Sequence, residues 1–561
     1  MSFPNPQPEE LTPPTPGEPI DPADIIADHA AQPPVEGALG QRAARGALAL
    51  VINTSATKLL QLVAVVIMGR MLTKGEFGLN GIALGISSFI ATFRDGGVRD
   101  LLVARHKEYE TLAGPCYWFS TSLNIFLGLL LGTAGEIASY FLARNHTIEH
   151  ASDLSRLIWI IGAALPVGTP ATILSARLRN DMRFGALGWQ MTIGCLVRYG
   201  GQIFLALMGY GPLAFVIPIV LTSLAENIYL SALTREYPWM RKPDVSLWPE
   251  IWRQTKWIVF AAVAGGIAAQ GFSVAATPFL TGTEPLGELS MALLMLYVVE
   301  SLTANNIVQV TLPVMARMTH NPVRLASAAA RVLTLATIIA AGAIAAAAVT
   351  FPPIEHLIWH GKWLVSGQAL FVLAPAFVFR NAVITVTGSL VQSLQKFRLF
   401  FAIWVITGVA SVVGAALGAM IWHTALGTAG GISIALGISS LLVNVQVLKA
   451  HGVPRRVSLD SLMRPLLIAL TAGLGAWSLN HYVTASITAR WTWLTYSIPR
   501  AAPVEPIVFE GHYLAQAAII AGSFGLVYIL LLRIFAAAQL RDGIEIAPAR
   551  IGNLARRVLW L

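Results

Sequence analysis

Four charged residues occur near the middle of long apolar segments of this 561-residue chain, namely the cations Lys58, Arg198 and Arg380 and the acid Glu300. A Lys or Arg at the centre of a membrane-spanning helix costs about 2.5–3.5 kcal/mol on insertion scales, so it usually faces a cavity or a partner. Arg offers phosphate oxygens a fork of donors, and Lys offers them a point charge. Two interpretations stay open: an anion-binding cavity, or Glu300 pairing with one of the cations between helices.

Amide and hydroxyl residues share one helix face with two of these cations. At about 100° per residue, the polar face of each predicted helix spans about 140°. The face around Lys58 contains Asn53, Thr54, Thr57 and Gln61, and the face around Arg380 contains Asn381, Thr385 and Gln392. A helix with one polar face inside a membrane lines water-filled or ligand-filled space. We therefore predict a substrate-binding site that contains Lys58, Arg198, Arg380, Glu300, Asn53, Gln61 and Asn381.

Arg94 and Asp95 directly follow the second apolar segment. A gate made of ion pairs is one interpretation of them, and stop-transfer charge with helix capping is the favoured alternative. His356 and His360 are four residues apart but lack the Glu of a zinc-binding HExxH motif, and the chain contains no Walker loop. We expect no catalytic residue, no metal site and no cofactor.

The elements that carry these residues are predicted to be transmembrane helices. The chain is 55% hydrophobic and only 12% charged, whereas soluble domains carry roughly 25% charged residues. Apolar runs of about 20 residues cross the hydrocarbon core as helices, and no alternating strand pattern is present. The fold class is therefore all-α, a polytopic membrane protein with about fourteen transmembrane helices. The predicted segments are 47–69, 79–93, 112–142, 155–175, 186–208, 212–233, 255–280, 288–314, 327–351, 364–391, 399–421, 425–448, 464–481 and 513–535.

The loops between these segments alternate in charge. Most of the 38 Lys and Arg residues fall in every second loop, and such loops stay on the cytoplasmic side. This pattern predicts that both termini are cytoplasmic and that the number of helices is even.

Two pairs of similar stretches indicate an internal repeat of six helices. LTKGEFGL at 72–79 matches LTGTEPLGEL at 280–289, and GYGPLAFVIPIV at 209–220 matches GTAGGISIALGI at 427–438. The predicted domains are a disordered, proline-rich acidic tail, two six-helix bundles, a pair of additional helices with a periplasmic loop, and a basic cytoplasmic tail. They span residues 1–40, 41–234, 235–450, 451–540 and 541–561.

Several motifs resemble the polysaccharide transporter family, the Wzx-type flippases of the multidrug/oligosaccharidyl-lipid/polysaccharide exporter superfamily. They are GRMLTKGEFGL at 69–79, FRDGGVRDLLVAR at 93–105, RLRNDMRF at 177–184, LMGYGPLA at 207–214 and TLPVMAR at 311–317. The resemblance implies two bundles around a central cavity that opens alternately to each side. It also implies a cargo of undecaprenyl-pyrophosphate-linked oligosaccharide, flipped across the bacterial inner membrane for exopolysaccharide, capsule or O-antigen synthesis.

In that case the cations would receive the pyrophosphate. The expected partners are the lipid-linked oligosaccharide, membrane lipids and other polysaccharide assembly proteins, with no nucleic acid. Two alternatives remain: an exporter of drugs or other small molecules, or a membrane polymerase or ligase. Such enzymes use Arg and His in a large outside loop, and loop 482–512 has Arg490, Arg500 and His512. Its prolines and tryptophans fit an interfacial excursion better, so we expect a transporter rather than an enzyme.

Overall fold

The structure, a computed structural model, describes residues 57, 60–91, 97–144, 151–181, 183–490, 495–498 and 507–536. The predicted acidic and basic tails lie outside this part of the chain. So do four of the predicted site residues: Asn53, Lys58, Arg94 and Asp95.

Eight helices, α1–α8, form what we call the N-terminal group. Their bounds are Leu60–Met71, Lys74–Ala91, Val98–Ala104, Tyr109–Arg144, Ala151–Val167, Thr169–Asn180, Phe184–Leu207 and Leu213–Thr234. Helix α4 packs on α5, and α8 packs on both α5 and α7. The bend of 40° between α5 and α6 falls at Gly168, and Pro170 lies in the first turn of the next helix.

Seven helices, α9–α15, form the C-terminal group. Their bounds are Trp248–Ala276, Glu284–Arg317, Pro322–Trp359, Leu364–Ala382, Gly388–Ser393, Phe397–Trp422 and Ala425–Ala450. A π-helical turn, Val383–Thr387, joins α12 to α13. Helix α14 packs on α9 and α15, and α12 packs on α15.

Two more helices follow, α16 at Arg455–Arg490 and α17 at Gly511–Phe535. They pack on each other and on α11, where the Tyr528 hydroxyl donates to the carbonyl of Ile338 at 2.8 Å. Between them lies an antiparallel strand pair, β1 at Thr495–Ile498 and β2 at Ile507–Glu510. Sequence analysis read residues 482–512 as a loop, and the structure differs there because α16 continues to Arg490 and the strands follow.

The all-α prediction is confirmed: every predicted segment overlaps a helix of the described chain. Nine of the helices in the described ranges are long and apolar enough to cross a membrane, or ten if the bent pair α5–α6 is one span. Their outward faces expose large apolar side chains, among them Phe126 at 63% and Ile421 at 58%. The chain is a multi-pass membrane protein, and the number fourteen stays a prediction.

The two groups meet where α2 packs against α9 and α10. A Cβ atom on Gly78 would overlap the carbonyl oxygen of Thr283, and one on Gly287 would overlap that of Lys74. The contact is reciprocal, because Gly287 lies four residues after Thr283 and Gly78 lies four residues after Lys74. These glycines belong to the two stretches that sequence analysis paired as a repeat, and they bring the two backbones into direct contact.

Candidate substrate cavity

A cavity of about 220 Å³ lies between the N-terminal and C-terminal groups. Helices α1, α2, α7, α9 and α10 form most of its wall, and they contribute a mixture of apolar and polar side chains. The polar lining residues are Gln61, Asn80, Arg198, Tyr199, Gln202, Gln270, Ser290 and Tyr297. No Asp or Glu lines this cavity in the described part of the chain, so its charge comes from one arginine.

That arginine, Arg198, lies midway along α7 and is exposed. Within the described ranges, the ion pairs do not include it. Gln202 follows one turn later on the same helix face and is buried against the cavity. A guanidinium with free donors beside amide groups is suited to oxygen-rich anions and to sugar hydroxyls.

The second predicted arginine, Arg380, has a different environment. Its Nη1 lies 2.8 Å from Oε2 of Glu300, and the two side chains are 9% and 8% exposed. The Arg380 guanidinium also stacks on the rings of Tyr297 and Phe377, at 5.1 and 5.2 Å. Sequence analysis left open whether Glu300 pairs with a cation between helices. In the structure it does, because α10 and α12 bring Glu300 and Arg380 together.

Asn381 lies beside this ion pair and is fully buried. Its Nδ2 donates to Oγ1 of Thr303 at 2.9 Å, which links α12 to α10 a second time. Oε1 of Glu300 and Oδ1 of Asn381 are buried with no hydrogen-bond partner among the described residues. The π-helical turn begins two residues later, and such turns are frequent at functional sites.

Tyr297 connects the two environments. It lines the cavity on one side and stacks on Arg380 on the other. Of the predicted site residues, the structure therefore places Gln61 and Arg198 on the cavity wall, and Glu300, Arg380 and Asn381 behind it.

Sequence analysis missed six of the polar lining residues, namely Asn80, Tyr199, Gln202, Gln270, Ser290 and Tyr297. Two of them had a usable signal: Gln202 follows Arg198 by four residues and Tyr297 precedes Glu300 by three, so each pair shares a helix face.

The N-terminal ends of α2 and α10 contact each other next to the cavity. Gly81 and Ser290 line the cavity, and the reciprocal contact of Gly78 and Gly287 lies one turn further along both helices. Beyond it, Nζ of Lys74 pairs with Glu288 at 2.7 Å, so a salt bridge also joins the two groups.

Lys362 and Trp363 contact the end of α1. Its ammonium donates to the carbonyls of Gly69 at 3.0 Å and of Leu72, and the Trp363 indole donates to Gly69 as well, at 3.0 Å. Burial lowers the pKa of Lys362, and the Glu76 carboxylate opposes that effect. The last carbonyls of α1 thereby gain donors from the connection between α11 and α12.

These features define a class: an α-helical, multi-pass membrane protein with a polar cavity between two helix groups. The fold is similar to that of the lipid II flippase MurJ in an inward closed conformation, with a TM-score of 0.62 and 13% identity, covering 87% of this chain and 99% of that one. It is also similar to an inward-facing MATE family multidrug resistance transporter of the MOP superfamily. There the TM-score is 0.57 at 15% identity, covering 70% of this chain and 95% of the other.

Residues 67–368 match the polysaccharide biosynthesis protein family, which is more than half of the chain. The chain belongs to this family, and the resemblance found in the sequence motifs is confirmed. A stretch of 190 residues is 25% identical to the succinoglycan biosynthesis transport protein ExoT of Rhizobium meliloti (strain 1021). That stretch covers 33% of this chain and 34% of the relative.

Proposed function

We propose that the protein is a flippase that moves polyprenyl-pyrophosphate-linked oligosaccharide repeat units across the bacterial inner membrane for exopolysaccharide, capsule or O-antigen synthesis. The observation that carries the proposal is a cavity between two helix groups with one exposed arginine and a set of amides, in a member of a polysaccharide biosynthesis family. ExoT is named as a succinoglycan transport protein and MurJ as a lipid II flippase, which supports this class of cargo.

Arg198 is the proposed ligand of the pyrophosphate. Its guanidinium offers parallel donors to phosphate oxygens, and the amides of Gln61, Gln202 and Gln270 are placed for sugar hydroxyls. The pyrophosphate is proposed to lie in this cavity, while the polyprenyl chain stays in the lipid. Lys58 and Asn53, which precede Gln61 in the sequence and lie outside the described residues, are proposed to extend the same site.

Glu300, Arg380 and Asn381 are proposed to act from behind the wall. The Arg380–Glu300 pair joins α12 to α10 and so fixes the position of Tyr297, whose ring lines the cavity. The orphaned oxygens of Glu300 and Asn381 indicate that this buried cluster is not fully satisfied in the present conformation.

Transport then proceeds by alternating access, in which the two groups rock about the cavity. The glycine contact and the Lys74–Glu288 pair form the closure on the side that the positive-inside pattern predicts to be periplasmic. We propose Arg94 and Asp95 as part of the opposite, cytoplasmic gate. In this scheme residues 41–234 and 235–450 are the rocking halves, residues 451–540 add two helices, and both termini are cytoplasmic.

A multidrug exporter would also have this fold, because the likeness to the MATE transporter concerns the fold alone. The family match and the arginine in the cavity favour the anionic, lipid-linked cargo. No described feature favours a polymerase or ligase, and we propose a transporter rather than an enzyme.

The test is reconstitution of the full-length protein in liposomes that contain the lipid-linked precursor from a strain lacking this gene. Precursor on the inner leaflet should become accessible to a membrane-impermeant glycosidase only when the protein is present. Unchanged accessibility, together with efflux of cationic dyes from the same vesicles, would replace the flippase assignment by the drug exporter.

A further inference from the structure

A second, larger cavity lies away from the proposed transport site, at one end of the C-terminal group. Its volume is about 680 Å³. Three connections meet there: the α10–α11 connection with the first turns of α11, the turn between α13 and α14, and the turn between α15 and α16. Its lining residues are Thr319, Pro322, Val323, Leu325, Ala326, Ser327, Ala330, Leu394, Lys396, Ala450, His451, Gly452, Val453, Pro454 and Val457.

Lys396 is the cation of this cavity. Its Nζ lies 2.9 Å from Nε2 of His451, whose Nδ1 lies 2.8 Å from the carbonyl oxygen of Val447. Because a carbonyl only accepts, Nδ1 carries the proton and Nε2 accepts from Lys396. The ammonium has three donors, so two remain for a ligand. No carboxylate lines the cavity within the described chain.

The backbone adds to the positive potential. The first turns of α11 and α16 both border the cavity, and the N-terminal ends of helices favour anions. Gly452 adopts φ of 92°, and a Cβ there would lie 3.4 Å from Ala326, so the glycine lets the α15–α16 turn approach α11.

The remainder of the wall is apolar. Leu325 and Val453 are buried in it, whereas Val323 at 79% and Val457 at 40% are exposed at the rim. A soluble anion makes no favourable contact with the apolar wall, and an uncharged lipid leaves Lys396 without an anionic partner. An anionic head with an apolar chain satisfies both parts of the cavity.

We infer that this cavity binds an anionic phospholipid of the cytoplasmic leaflet, with the phosphate on Lys396 and an acyl chain along Leu325, Ala330 and Val457. The choice of leaflet rests on the topology proposed above, in which all three connections are cytoplasmic and rich in Lys and Arg. The lipid then holds α11, α16 and the α13–α14 turn together, outside the transport cavity.

The test uses the full-length protein in nanodiscs of phosphatidylcholine that contain a trace of photoreactive phosphatidylglycerol. Labelling should fall on peptides from residues 319–330 and 450–457, and excess phosphatidylglycerol should compete where glycerol phosphate does not. Lys396→Gln should reduce this labelling by about tenfold, the usual effect of losing one charge-assisted hydrogen bond, and Lys396→Arg should retain it.

Two further variants control the result. Arg464→Gln removes an equal charge from α16 outside the cavity and should leave labelling unchanged. Ala330→Phe fills the apolar wall while Lys396 stays, and it should reduce labelling about as much as Lys396→Gln.

Equal labelling by a phosphatidylcholine probe, or equal effects of Lys396→Gln and Arg464→Gln, would overturn the site. A rise in labelling after removal of residues 2–38 would show that the acidic N-terminal segment, and not a lipid, occupies the cavity. Because labelling does not depend on transport, either result leaves the flippase proposal intact, and failed transport in liposomes leaves the lipid site intact.

Discussion

Arg198 and Arg380 are the same residue type in two apolar segments, yet their surroundings differ. Arg198 is exposed in the cavity between the helix groups, whereas Arg380 is buried against Glu300 at 2.8 Å. A cation in a membrane protein needs either water and ligand or a carboxylate. The N-terminal group meets this need with the first solution and the C-terminal group with the second. The first arrangement leaves donors free for cargo, and the second joins helices.

The comparison predicts that breaking the buried pair has the largest effect on the folded protein. Arg380→Gln or Glu300→Gln alone leaves an unpaired buried charge, and loss of one partner from such a pair costs about 3–5 kcal/mol. We expect both single variants to lower the amount of inserted protein and its thermal unfolding temperature in detergent. The double variant, with no charge left over, should recover much of both. Single variants of normal level and stability would show that the pair does not join the helices.

Access from the periplasm to the cavity that contains Arg198 depends on the proposed closure at Gly78. Gly78→Val places side-chain atoms on the Thr283 carbonyl, so α2 and α10 must separate. We expect a cysteine introduced at Gln61 to react several times faster with a membrane-impermeant thiol reagent added from the periplasmic side. Gly265→Val on α9 is the matched control, since no atom lies within 4 Å of a Cβ built there. Equal rates in the two variants would mean that the glycine contact does not close the cavity.

Tyr297 should show a smaller effect, because it only separates the two arginines. Tyr297→Leu removes the ring face over the Arg380 guanidinium, and a desolvated cation–π contact contributes about 0.5–2 kcal/mol. We expect a modest drop in the unfolding temperature, while Tyr297→Phe, which keeps the ring, stays close to the unchanged protein. An equal loss in the Phe and Leu variants would assign the role to the hydroxyl, which both variants lack.

Much of the fold follows from the sequence, since every backbone polar group in lipid must be paired within its own helix. The predicted segments 399–421 and 425–448 differ from Phe397–Trp422 and Ala425–Ala450 by at most two residues at each end. Errors occur where helices extend into water. The predicted segment 464–481 is Arg455–Arg490 in the structure, because hydropathy detects only the apolar middle of a helix.

The site was predictable in residue type but not in arrangement. The position of a residue within its apolar segment is enough to predict its depth in the membrane, as for Arg198, Glu300 and Arg380. Which of the two cations faces Glu300 depends on how α10 and α12 rotate about their axes, and 80 residues separate the partners. The π-helical turn after Asn381 changes that rotation locally and has no hydropathy signal.

The central claim is that Arg198 binds cargo while Arg380 joins helices. The measurement that tests it is polymer exported per molecule of inserted protein, determined for Arg198→Gln, Arg198→Lys and Arg380→Gln. Arg198→Gln should insert normally and lose export by at least about tenfold. Arg198→Lys should restore part of it, because the charge remains without the fork of donors. Arg380→Gln should lose protein first, with a smaller change per molecule. Normal export per molecule from Arg198→Gln would contradict the claim.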